Sequence, residues 1–150
     1  MARKKLISEP SSFPYLRIVG ISSPLRDYRL AYFINRNAGL SLCRFDDLPV
    51  FNEKDGVLYD YSLYSCYQSD QRLHYHLIGN NHPAAKLITL YKHADYFLFV
   101  ASQPDEDKLD NIIASVKSIP GVQLVFRVNN DTIKNLEGIM SDLELHLVGK

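Results

Sequence analysis

The segment Ala94–Val128, ADYFLFVASQPDEDKLDNIIASVKSIPGVQLVFRV, reads as a strand, a helix and a strand in succession. Ala94–Ala101 carries Tyr96, Leu98 and Val100 on one parity and Phe97 and Phe99 on the other, the pattern of a strand buried on both faces near the middle of a sheet. Ser102 and Asp105 flank Pro104 as a capping pair. Leu109, Ile112, Ile113, Val116 and Ile119 then recur at three-and-four spacing, which predicts a helix with one buried stripe. Pro120-Gly121 stops it, and Val122, Leu124, Phe126 and Val128 alternate with Gln123, Val125 and Arg127 as a returning strand.

A looser copy of the unit lies near the N-terminus. Leu16–Ile21 alternates as a strand, Ser22-Ser23-Pro24 offers a capping hydroxyl with proline at the first helical position, and Asn37-Ala38-Gly39 marks the stop. This helix has two apolar stripes. Leu30, Phe33 and Ile34 form one; Leu25, Tyr28 and Tyr32 form another, interrupted by Arg29 and Arg36. Between the two units, Leu40–Phe45 reads as a strand and Asp46–Gly56 as an irregular loop. Val57–Tyr67 and Arg72–Gly79 read as the arms of a hairpin, and Lys86–Leu90 as a further strand. Beyond Asn129-Asn130-Asp131, the spacing of Ile133, Leu136, Met140, Leu143 and Leu147 predicts a C-terminal helix that contains Gly138.

The connections within the two units are too long for hairpins and imply crossovers. The expected fold class is α+β, a mainly antiparallel sheet with helices on one face, ferredoxin-like or ACT-like with an inserted β-hairpin. A length of 150 residues suits one domain, expected over 13–150 behind a flexible polar leader at 1–12.

Seventeen basic and seventeen acidic residues balance. The chain therefore lacks the long-range field that draws proteins onto nucleic acid or anionic membranes. No apolar run approaches the roughly 20 residues of a membrane-spanning helix, and Met1-Ala2-Arg3-Lys4-Lys5 is not followed by the apolar core of a signal peptide. Cys43 and Cys66 are too few for a disulfide scaffold, which fits a cytoplasmic location.

Ile88-Thr89-Leu90-Tyr91-Lys92-His93-Ala94-Asp95-Tyr96 resembles the motif that names the IPExxxVDY family of small bacterial proteins. Asp27–Asn35, Asp46-Asp47-Leu48, Tyr61-Ser62-Leu63-Tyr64 and Ile119-Pro120-Gly121-Val122 resemble its other landmarks, in the family's order. Thr89 and Leu90 stand where the family has Pro and Glu, and Ala94 where it has Val. The resemblance covers about Leu16 to Val128; it implies a bacterial cytoplasmic protein and carries over no catalytic or binding residue.

The chemical candidates are sparse. His74 and His76 share a strand face as a pair of metal ligands would, but no third ligand accompanies them and no metal site is assigned. Cys43 with a histidine would need a nucleophile–base geometry that the sequence does not show, and a buried structural thiol is expected instead. Asp46, Asp47, Asp60 and Asp95 are more simply loop caps than paired catalytic carboxylates, and Asp95, at the head of the apolar strand, calls for a partner such as Arg26, Arg29 or Arg44. No catalytic residue and no cofactor is assigned, and the balance leans against an enzyme. The loop before the first helix, with Ser22, Ser23 and Arg26, is the candidate site for a small anionic metabolite at a helix N-terminus.

Ten tyrosines and no tryptophan, five of the tyrosines within Tyr59–Tyr75, offer the amphipathic contact area that interfaces prefer. Leu25, Tyr28, Tyr32, Tyr59, Tyr61 and Tyr67 are the candidate interface residues. The leading expectation is a non-catalytic module that self-associates as a homodimer or docks on a protein partner; the alternative is an ACT-like regulatory domain that binds a small anion. Neither nucleic acid nor membrane is expected as a partner.

Overall fold

A computed structural model of the chain describes residues 13–102 and 104–148. The leader expected over 1–12 lies outside them. In chain order the elements are β1 (Leu16–Ser22), α1 (Asp27–Ala38), β2 (Cys43–Asn52), β3 (Val57–Gln68), β4 (Leu73–Gly79), β5 (Tyr96–Ala101), α2 (Glu106–Lys117), β6 (Leu124–Val128) and α3 (Leu136–Val148). Short 3-10 turns lie at Thr89–Tyr91 and Asn130–Thr132.

The six strands form one sheet in the order β2-β3-β4-β5-β1-β6, every neighbour antiparallel. The chain is α+β. Because β5 and β6 both run against β1, they are parallel to each other with β1 between them, and α2 bridges the pair.

Phe97, Leu98, Phe99 and Val100 are fully buried, as their two-sided apolar pattern demands. Burial on both faces requires cover on both. One core joins Leu30, Ala31 and Ile34 of α1 and Leu109, Ile112 and Val116 of α2 to Val19, Ile21, Leu98 and Val100. A second joins Leu136, Ile139 and Leu143 of α3 to Ile18, Leu48, Leu63, Ile78, Phe97 and Phe99. The expectation of helices on one face is thus corrected: α1 and α2 cover one side of the sheet and α3 the other.

Several boundaries also differ. The expected loop Asp46–Gly56 is mostly strand, because β2 continues to Asn52 past a register shift between Phe45 and Leu48. The expected strand Lys86–Leu90 does not form. Fully buried Asn80 takes over its hydrogen bonding instead: Asn80 Oδ1 accepts from Ile88 N at 2.8 Å, and Nδ2 donates to Ala94 O at 2.8 Å. The first helix begins at Asp27, with Arg26 in the capping position and no side-chain cap. Gly39 closes it as anticipated, at φ +70° with its N–H donating to Asn35 O. Asp105 alone caps α2, its Oδ1 accepting from Lys108 N at 2.7 Å.

Candidate functional site

The loop between β1 and α1 borders a cleft of about 550 Å³, and its walls bring together many of the polar residues singled out in the sequence. Ser23, Arg26, Asp27, Asp47, Asp60, His82, Asp95 and Tyr96 all line it. Strand β1 delivers the loop, the entry to β5 delivers Asp95 and its first residue Tyr96, and β3 delivers Asp60 and Ser62 across the floor from Gly79. A side chain at Gly79 would collide with Ser62 Oγ at 2.6 Å, so this floor is closely fitted.

Asp95 is the centre of the loop's hydrogen bonding. Its Oδ2 accepts from Ser23 N at 2.8 Å and its Oδ1 from Asn81 Nδ2 at 3.1 Å. Its backbone N donates to Ile21 O at 2.8 Å, and its carbonyl accepts from Asn80 N at 2.9 Å. Asp95 thus finds main-chain and amide donors in place of the arginine partner expected for it. Ser22 Oγ donates to His93 O at 2.7 Å, and Ser23 Oγ donates to Gly121 O at 2.9 Å while accepting from Leu25 N at 3.1 Å. Both serines are buried and both hydroxyls are engaged within the chain. The amide at Ser23 that would hold an external anion already holds the chain's own carboxylate.

The remaining walls are acidic. Asp47 pairs with Arg44 at 2.6 Å, and the Arg44 guanidinium lies 5.4 Å over the Tyr64 ring. Asp27 Oδ2 accepts from Tyr64 OH at 3.3 Å. The Tyr96 hydroxyl, pushed up to about 12 by burial and then by the nearby Asp27 and Asp95 charges, stays protonated and donates to Leu25 O at 2.6 Å. The side chains of Arg26 and Asp60 make no hydrogen bond or ion pair among the described residues. With Asp47 paired to Arg44, the carboxylates of Asp27, Asp60 and Asp95 against Arg26 still give the cleft a negative balance, which disfavours a purely anionic ligand.

The histidines occupy a different region. His74 is exposed with its ring tilted against Tyr67 at 4.5 Å between centroids, whereas His76 is 6% exposed with its Nδ1 2.8 Å from Ser65 Oγ. Burial, and secondarily the neighbouring His74, pushes His76 down to about 4, so it is neutral at pH 7. Cys43, Ser65 and His76 fall in one lateral row with Ser65 in the middle, and Cys43 is exposed, not the buried thiol expected, with its Sγ donating to Ser41 O. Burial raises the Cys66 thiol. Among the described residues, no group of three His, Cys, Asp or Glu side chains is arranged to hold a metal ion.

The candidate interface residues separate. Tyr28 and Tyr32 are 59% and 56% exposed, and with Arg29 and Phe33 they enclose an almost wholly apolar notch of about 390 Å³ on the outer face of α1. Leu25 is half-buried. Tyr67 is exposed, but Tyr59 is half-buried with its hydroxyl on Asp55, and Tyr61 is buried beneath α3 with its hydroxyl on Ala85 O. The expectation for Tyr61 is corrected: α3 covers the face that the hairpin tyrosines share. Phe33, assigned to the core stripe in the sequence, packs against the first core and also lines the notch. Its signal was the Arg29–Phe33 spacing of four, and the guanidinium indeed lies 5.9 Å from the Phe33 ring.

Compared with family models, curated proteins and solved structures, the chain matches none. Among the described residues, no helix is long and apolar enough to cross a membrane.

Proposed function

We propose that this chain is a non-catalytic protein-interaction module that docks through the outer face of α1. The observation that carries the reading is the notch itself. Two aromatic rings more than half exposed, flanking Arg29 and Phe33, sit on a helix whose opposite side is already filled by the sheet and α2. Exposed aromatic and arginine side chains around an apolar depression are the composition of interface centres. Their exposure is maintained against the cost of hydrating them, which a partner would remove.

The same proposal reads the architecture as ferredoxin-like or ACT-like with an inserted β-hairpin, the β3–β4 pair. The α2 connection that spans β1 supports it. Membership of the IPExxxVDY family, with a bacterial cytoplasmic setting, belongs to this reading and rests on the order of landmarks from Asp27–Asn35 to Ile119–Val122.

A photo-crosslinking residue placed at Tyr32 tests it in cells. Adducts should form at Tyr32 and not at Tyr15, which is equally exposed but lies outside the patch. Equal yields at the two positions would sink the reading.

A second reading has a small metabolite in the acidic cleft. Unpaired Arg26 would take its carboxylate, and Asp60 a cationic group on the same ligand, which suits the balance of charge better than an anion alone. A thermal-shift screen of amino acids should then show stabilisation that Arg26→Ala abolishes; no shift with any of them removes this reading.

A further inference from the structure

The outer face of α3 is the counterpart of the α1 notch. Glu137, Ser141, Glu144, Leu145 and Val148 all lie on the solvent side of α3, with Leu145 71% exposed. Alpha-3 contains Glu137, Asp142 and Glu144 and no lysine or arginine, whereas α1 exposes Arg29 and Arg36 beside Tyr28 and Tyr32. One helix face is acidic and aliphatic; the other is basic and aromatic.

The two faces also agree in register. Arg29 and Arg36 are seven residues apart, as are Glu137 and Glu144, a separation of about 10 Å along either helix. Laid antiparallel, Arg29 meets Glu144 and Arg36 meets Glu137. The same alignment sets Tyr28 against Leu145 and the Tyr32 ring over Ser141, where Gly138 keeps the helix surface low. A parallel alignment of the charges would instead set Tyr28 on Leu136, which is buried in the second core. The antiparallel arrangement also opposes the two helix dipoles favourably.

Within one chain these faces cannot meet, because α1 and α3 lie on opposite sides of the sheet. We infer that the occupant of the α1 notch is the outer face of α3 from a second copy of this chain. The contact is heterologous: each copy offers one face and accepts on the other, so association runs head to tail and extends with concentration. The inference rests on the reading of α1 as a docking surface and names the partner of that same surface.

Sedimentation equilibrium of the full chain tests it through charge reversal. The wild type should gain weight-average mass as concentration rises. Arg29→Glu/Arg36→Glu and Glu137→Lys/Glu144→Lys should each remain monomeric over the same range. Mixed in equal amounts, the two variants should associate again, since each then supplies a face complementary to the other; that recovery also shows that both are folded. A wild type that stays monomeric, reversal at α3 without effect, or failure of the mixture to recover would overturn the inference. A Tyr32 crosslink to a different protein, from a chain that stays monomeric, overturns it and leaves the docking role of α1 standing. Monomeric behaviour with no Tyr32 crosslink removes both.

Discussion

The Asp95 carboxylate and the Ser23 amide, 72 residues apart in sequence, meet at 2.8 Å, and this contact joins the head of the central strand β5 to the loop that leads into α1. It converts a backbone donor suited to an external anion into a structural joint. Ser23 is 2% exposed, so the carboxylate is the amide's partner within the fold.

Removing that partner should therefore cost stability. Asp95→Ala leaves Ser23 N without an acceptor, an expected loss of about 1–3 kcal/mol. Asp95→Asn keeps an acceptor oxygen and should lose less. Urea unfolding midpoints of the three proteins check the order; an Ala variant as stable as the wild type would make the contact energetically idle.

His76 sets a pH dependence. Its folded pKa, about 4, lies below the ordinary value of 6.5, so the fold favours the neutral ring. Below pH 6.5 the unfolded chain gains a proton that the folded chain does not, and stability falls until about pH 4, where the folded ring protonates as well. The full window corresponds to about 3 kcal/mol. His76→Gln should flatten that component, read as the difference between the two proteins' unfolding free energies at pH 7.5 and pH 5.

Gly20 is required by Phe126. Its pairing partner across β1 and β6 lays the ring over the glycine, and an added Cβ would lie 2.3 Å from Phe126 Cζ. Gly20→Ala should destabilise by about 1–3 kcal/mol through overpacking. Adding Phe126→Leu to that variant should recover part of the loss, and a thermal melt of the single and double variants decides.

Gly138 is the opposite case. A Cβ there meets nothing within 4 Å, and the residue sits inside α3. Gly138→Ala should stabilise the dilute chain by about 1 kcal/mol, because alanine has the higher helix propensity and restricts the unfolded chain. A lowered melting temperature would point to a contact at this position.

The β5–α2–β6 segment was legible in the sequence because each of its signals is local. Alternating and two-sided apolar runs, the Asp105 cap and the Pro120-Gly121 stop act within a few residues of the structure they cause. The Gly39 closure of α1 and the shared face of His74 and His76 were legible for the same reason. That Tyr28 and Tyr32 form a stripe of their own followed from helical spacing; their exposure did not.

What periodicity determines is which residues of an element point together; it is silent on what lies opposite them. Tertiary packing decided that α3 takes the second face of the sheet, and so that Tyr61 is core while Tyr67 is surface. It decided that Asn80 holds 88–94 out of the sheet, and that Ser23 answers to Asp95 and Gly121 and not to its own helix. Those outcomes depend on groups brought together across long stretches of chain, whose hydrogen bonds form only once the packing has placed them.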